Sequence, residues 1–130
     1  MQKFTTFLMF EGKAEEAMNF YVALFKNSAV LNVMRYDKDG PGEDGSIMLA
    51  TFSLNGQEFM CIDSAIKHSF SFTPAISIYV NCEDEGEIEN VYAMLSAGGN
   101  VAMPLGNYGF SKKFGWVNDR YGVSWQVNLQ

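Results

Sequence analysis

This chain is poor in the residues that metal-dependent and nucleophilic enzymes rely on. It holds one histidine, His68, among 130 residues. HExxH and zinc-finger patterns need more than one and are excluded. Its two cysteines, Cys61 and Cys82, form no disulfide framework. A chain long enough to bury about two-thirds of its unfolded surface does not need one. Cys61 sits in an apolar alternating run and reads as a small buried hydrophobe. The acids beside Cys82 raise a thiol pKa and argue against reactivity there. Basic residues are scarce, nine against fifteen acids, for a formal net charge of -6. Nucleic acid is therefore excluded as a partner, because phosphate contacts need a dense basic patch. No apolar run approaches the roughly 20 residues that cross a bilayer, and the start MQKFTTFLMF has no small-residue cleavage site. The expectation is a cytoplasmic protein without a membrane partner. No GxGxxG follows a strand, and no GKS or GKT loop or GxSxG elbow occurs, so dinucleotide, P-loop and hydrolase-elbow readings fail.

Aromatic residues, by contrast, are plentiful. Eleven Phe, six Tyr and two Trp make up 15% of the chain, and 48% is hydrophobic, which demands a core, a pocket or an interface. Lys3 to Phe10 reads as a strand that Gly12 breaks. From Lys13 the period changes, and Ala14, Ala17, Met18, Tyr21, Val22, Leu24 and Phe25 make the apolar stripe of a helix ending near Lys26. Ala29 to Tyr36 reads as the next strand, and Asp37 to Gly45 as a loop. Ile47 to Leu54 and Gln57 to Asp63 flank Asn55-Gly56, the strongest hairpin signal present. A linker over residues 65–73 follows. It carries His68, which reads as exposed or locally hydrogen-bonded.

The order of elements then restarts. Ala75 to Asn81 alternates as a strand after Pro74. Glu83 to Glu89 places five acids at the head of a helix, where they complement its dipole. Gly98-Gly99 stops that helix. A short strand near Val101, a loop from Pro104 to Tyr108, and strands over Lys112 to Val117 and Val123 to Leu129 complete the chain. Both halves, residues 1–64 and 74–130, thus read as strand, helix and further strands. The fold class is α+β, with two modules of one helix and one curved half-sheet each. Neither half-sheet closes a cavity alone, whereas two can share one.

The last strand points to chemistry. Val123, Trp125, Val127 and Leu129 occupy one face, while Ser124, Gln126 and Asn128 occupy the other. Buried amides need partners, which are a ligand, water or a side chain across the sheet. Ser77 and Tyr79 extend this polar, aromatic face. Trp116 serves either as a pocket wall or as core. Alternation sends Lys112 and Lys113 to opposite faces, where one can meet an anionic ligand. Asp119 and Gly122 shape the last turn. Asp63, ending the fourth strand, is the one catalytic candidate, as a carboxylate at a pocket mouth able to bind or act as base.

FLMFEGKAEEAMNFYVALF, FSLNGQEFMCIDS and MPLGNYGFSKKFGWVNDRYGVSWQVN together resemble the PhnB-like branch of the glyoxalase/bleomycin-resistance/dihydroxybiphenyl dioxygenase, or vicinal oxygen chelate, superfamily. That branch is often labelled as resembling a 3-demethylubiquinone 3-methyltransferase. The resemblance spans the whole chain. It implies two βαβββ modules in a curved, partly open barrel around a cleft, and a homodimer. It also implies metal ligands on first and last strands, but the positions here fall among Thr5 to Phe7, near Pro74 to Ala75, and at Gln126, a neutral amide. GSIML places Leu49 where the branch commonly has a histidine. Gln126 alone cannot hold a divalent ion, so no cofactor is expected beyond a weak metal completed by water or substrate. Methyl transfer fails because no Rossmann-like sheet or glycine-rich motif is present. The expected protein binds a small organic ligand, with Phe7, Leu49, Ser77, Tyr79, Lys112, Trp116, Ser124 and Gln126 lining the pocket. The alternatives are a divalent-metal-assisted lyase, isomerase or dioxygenase acting on a small oxygenated metabolite, and a drug-sequestering resistance protein.

Overall fold

A computed structural model describes residues 2–130. The chain forms two compact units that divide between Ser69 and Phe70. The first contains β1 (Thr6–Phe10), α1 (Ala14–Leu24), β2 (Ala29–Arg35), β3 (Ile47–Leu54) and β4 (Gln57–Asp63). The second contains β5 (Ile78–Asn81), α2 (Glu85–Ser96), β6 (Asn100–Gly106), β7 (Lys113–Asn118) and β8 (Ser124–Leu129). Each is a βαβββ unit with one open four-stranded sheet, ordered β1-β4-β3-β2 and β5-β8-β7-β6. In both, the outer first strand runs parallel to the last, and the remaining pairs are antiparallel. Parallel pairing needs a long crossover, and the helix-containing path between first and last strand supplies it.

Each helix covers one face of its own sheet. In the first unit Ala14, Ala17, Met18 and Tyr21 of α1 are buried. Leu8, Phe10, Ala50, Phe52, Phe59 and Cys61 are buried with them, the alternate residues of β1, β3 and β4. In the second unit Ile88, Val91 and Leu95 of α2 join Val117, Trp125, Val127 and Leu129 in the core. The Asn55-Gly56 hairpin forms as the sequence predicts, with both residues at positive φ, 50° and 87°.

Several boundaries differ from the sequence reading. The strand expected from Lys3 begins at Thr6, the first residue paired with β4. The strand expected from Ala75 begins at Ile78, because Pro74 and Ala75 form a turn, in which the Ala75 N–H donates to Thr73 Oγ1, and the chain bends at Ile76. The loop expected from Pro104 is the end of β6 as far as Gly106. Proline is tolerated there because β6 is an edge strand, pairing with β7 alone. Lys112 precedes β7 instead of starting it.

Candidate functional site

The face of the second sheet that α2 leaves uncovered carries the polar residues that alternation predicts, several of them buried by neighbouring side chains. Tyr79 pairs with Gln126, Gln126 with Trp116, and Trp116 with Met103, which places these side chains in one row across the sheet. On one side of that row lie Ser124 and Asn118, and on the other Asn81, Asn128 and Phe114. Among these paired positions there is no Asp, Glu, His, Lys or Arg.

Hydrogen bonds satisfy part of this face. Ser124 Oγ shares a 2.7 Å bond with Ser77 Oγ and accepts from Trp116 Nε1 at 2.8 Å. Trp116 is therefore fixed by its indole N–H with its ring left half-buried on the uncovered face. Asn128 Nδ2 donates to Asn81 Oδ1 at 3.2 Å. Two carbonyl oxygens, Asn118 Oδ1 and Asn128 Oδ1, are buried with no partner among the described residues.

An aromatic group borders the Asn128 end. Phe114, 4% exposed, meets Tyr79 at 6.3 Å, Tyr108 at 6.1 Å and Phe110 at 5.0 Å between ring centroids. Tyr108 and Phe110 belong to the β6–β7 connection, where Gly109 adopts φ +99° and donates its N–H to Asn107 Oδ1. The Tyr108 hydroxyl donates to the Pro104 carbonyl, which anchors the turn. Asn81, Asn118, Phe114 and this turn add to the residues singled out from sequence, which had already placed Asn128 on this face. Strand alternation could have found the asparagines and Phe114. The turn aromatics carry no local signal, because ring contact with Phe114 depends on the path of the connection.

The remaining sequence candidates lie elsewhere. Phe7 pairs with Met60, and Leu49 with Met34, on the uncovered face of the first sheet. Asp63 is buried and its carboxylate is fully engaged. Oδ1 accepts from the N–H groups of Gly12 (2.8 Å) and Ala14 (2.9 Å), and Oδ2 from Ile47 (3.0 Å). Asp119 shapes the last turn: its Oδ1 accepts from Tyr121 and Val123 N–H, and its Oδ2 from Trp125 Nε1 at 2.8 Å. His68 is locally bonded, with Nε2 at 2.8 Å from Ser64 Oγ. Lys113 turns to the helix side, where Glu85 (2.8 Å) and Glu89 (2.9 Å) hold its ammonium. The hydrogen bond to Glu85, then that to Glu89, raises its pKa. Lys112 is exposed; the hydrogen bond and charge of Lys113 lower the pKa of Glu85, and the charge of Lys112 adds to that. Burial pushes the Cys61 and Cys82 thiols up to about 12, and neighbouring acids add to the shift.

The donor set does not fit a divalent metal. Gln126 offers a neutral amide oxygen, and the side chains around it are aromatic rings, hydroxyls and amides rather than carboxylates or imidazoles. Among the described residues no three His, Cys, Asp or Glu side chains converge.

The family model described as 3-demethylubiquinone-9 3-methyltransferase matches residues 2–128. The chain belongs to this family. It is similar to a PhnB protein from Bacillus cereus, with 63% identity, 99% of this chain and 100% of the other covered, and a TM-score of 0.98. Protein PA1353 from Pseudomonas aeruginosa is 27% identical over 100% of this chain and 98% of its own, with a TM-score of 0.86. A glyoxylase/bleomycin resistance protein/dioxygenase domain from Frankia sp. covers 99% and 97% at 12% identity and a TM-score of 0.69, which shows a shared fold. No curated protein matches the chain. The chain is thus a PhnB-like protein of glyoxalase/bleomycin-resistance fold, and its βαβββ units are those of that fold.

Proposed function

We propose that this PhnB-like chain is a metal-free, cytoplasmic homodimer that binds a small organic molecule on the uncovered face of its second sheet. One observation carries this reading. Trp116 and Tyr79 flank Gln126 on a face where two buried amide oxygens have no partner among the described residues. Apolar walls with a few convergent polar groups are the usual character of a small-molecule site. The family description does not bring methyl transfer with it. All eight strands are used in two four-stranded sheets of βαβββ type, and neither has the order of a Rossmann-like sheet. The dimer rests on family resemblance and on large exposed apolar side chains, among them Phe4, Ile66, Phe70 and Ile76. Two free, buried cysteines fit a reducing compartment.

An aromatic fragment library titrated into isotope-labelled protein tests the site. Binders are expected to shift the backbone amides of Tyr79, Trp116 and Gln126. Trp116→Ala is expected to weaken them by about tenfold, whereas Trp116→Phe keeps most of the affinity. Shifts confined to other surfaces would overturn the site. Stoichiometric divalent metal in protein purified without chelator would overturn the metal-free reading.

A further inference from the structure

The chain's one histidine makes a contact in the first unit that the proposed binding face does not use. The β1–β4 ladder continues beyond the strands, because the Ser64 N–H donates to the Phe10 carbonyl at 2.7 Å. The chain then turns back on itself. The Ile66 N–H donates to Ser64 Oγ at 3.2 Å, and the His68 N–H donates to Glu11 Oε2 at 3.4 Å. This turn brings His68 Nε2 to 2.8 Å from Ser64 Oγ. A hydroxyl within hydrogen-bond reach of an imidazole is how a serine is activated as a nucleophile. Such a pair is recognised by its geometry and needs no GxSxG elbow.

The hydroxyl keeps the valences that attack requires. Ser64 Oγ carries one proton and two lone pairs. The proton has two acceptors at 2.8 Å, the Ile66 carbonyl and His68 Nε2, and rotation about Cβ–Oγ carries it between them. One lone pair accepts from the Ile66 N–H, and the other remains for attack on carbon. Ser64 and His68 are half-buried rather than enclosed, so a reagent reaches them from solvent.

The surroundings favour an apolar acyl group. Alternation places Phe7, Met9, Met60 and Ile62 on the face of the first sheet away from α1, between the buried Leu8, Phe10, Phe59 and Cys61. Met9 pairs with Ile62, and Glu11 and Ser64 extend these two rows past the strand ends. Residues 63–69 add one exposed cation, Lys67, opposite in sign to exposed Glu11, while Asp63 turns to the start of α1. With one charge of each sign at this end, selection falls to apolar contact rather than to charge.

We propose that Ser64 and His68 form a nucleophilic pair that accepts small apolar acyl groups from activated esters. Ser64 Oγ attacks the carbonyl carbon, and its proton passes to His68 Nε2. The bond from that carbon to the leaving oxygen breaks, and the departing alcohol takes the proton. Water, deprotonated by the same nitrogen, then releases the acid and restores the Ser64 hydroxyl. Ester and water thus give acid and alcohol.

Diethyl p-nitrophenyl phosphate labels such a serine with a phosphoryl group that water removes slowly. Peptide mapping of the full chain after this labelling is expected to place the diethylphosphoryl group on Ser64. A label confined to other residues, or no label, would overturn the nucleophile. His68→Gln keeps a hydrogen-bonding side chain without a base, and is expected to slow the labelling of Ser64 about a hundredfold. Unchanged labelling in that variant, with its fold checked by its amide spectrum, would overturn His68 as the base. Release of p-nitrophenolate is expected to be at least about threefold faster from p-nitrophenyl butyrate than from the acetate, because the longer chain meets apolar surface. Equal or slower release from the butyrate would overturn the apolar acyl class. Mapping on the unaltered chain decides the nucleophile even if the variant fails to fold.

Discussion

At the scale of single residues, the two buried aspartates do parallel work in the two units. Asp63 and Asp119 each use both carboxylate oxygens to accept N–H bonds, from Gly12, Ala14 and Ile47 at the first and from Tyr121, Val123 and the Trp125 indole at the second. A carboxylate only accepts, so it suits a site surrounded by donors. An asparagine would turn one of its two ends into a donor facing a donor. Asp63→Asn and Asp119→Asn are each expected to lower stability by about 2 kcal/mol, read as a lower urea midpoint with an unchanged slope. An unshifted midpoint would show that these bonds are replaceable. The thiols supply a second residue-scale prediction. Burial, with neighbouring acids adding to it, pushes the Cys61 and Cys82 thiols from an ordinary value near 9 up to about 12. Between those values the folded chain keeps protons that the unfolded chain loses, so stability falls as pH rises through this window. The drop in urea midpoint from about pH 8 to about pH 11 should shrink in a Cys61→Ala, Cys82→Ala double variant. An equal drop in the variant would show that other groups cause it.

At the scale of elements, the two helices begin in different ways. α2 is capped locally: Asp84 Oδ1 accepts from Glu87 N–H at 2.8 Å, and Glu87 Oε1 accepts from Glu83 N–H at 2.7 Å. This reciprocal pair lies within five residues and is legible in the acid-rich run. α1 begins after Lys13, which makes no capping bond, and its first N–H is served by Asp63 from the end of β4. Reading Asp63 from sequence as a free carboxylate at a strand end could not include this bond, because the Ala14 N–H that donates it lies 49 residues away. The end of α2 is again local. Gly98 sits at φ +76°, a left-handed conformation that glycine adopts without steric cost. Gly99 has a different reason to be glycine, since a β-carbon there would overlap the carbonyl oxygen of Asn118. Gly98→Ala is expected to cost about 1 kcal/mol and Gly99→Ala about 2–3 kcal/mol, because backbone must move in the second case. Calorimetric melting of both variants checks the order, and a smaller loss at Gly99 would contradict the packing argument.

At the scale of the whole molecule, the repeated βαβββ order puts one helix-covered and one uncovered face in each unit. The uncovered faces differ in chemistry. In the first sheet Phe7, Met60, Leu49 and Met34 are mainly apolar, whereas amides and aromatic rings share the second. The proposed dimer belongs to this scale. Light scattering at micromolar concentration is expected to give twice the chain mass of 14.5 kDa. That mass should persist in about 1 M salt, because contacts between side chains such as Phe4 and Ile76 are not screened. A species of single-chain mass would contradict it, and dissociation by salt would point to charged contacts instead.

The sequence by itself determined the element order, the Asn55-Gly56 turn, the acid-capped second helix and the two faces of the last strand. These follow from dihedral preference and from periods of two and 3.6 residues, which act over a few neighbours. Only the tertiary structure decided which polar groups are spent. It gave Asp63 to the entry of α1, Lys113 to two glutamates on α2, and Ser124 to Ser77 and Trp116. It left the side-chain oxygens of Asn118 and Asn128 without a partner among the described residues. Hydrogen bonds and ion pairs are settled by proximity in space, over separations such as 24 residues for Lys113 and Glu89 and 47 for Ser77 and Ser124. Local patterns place a side chain on a face, and the partners across that face decide whether it remains available to a ligand.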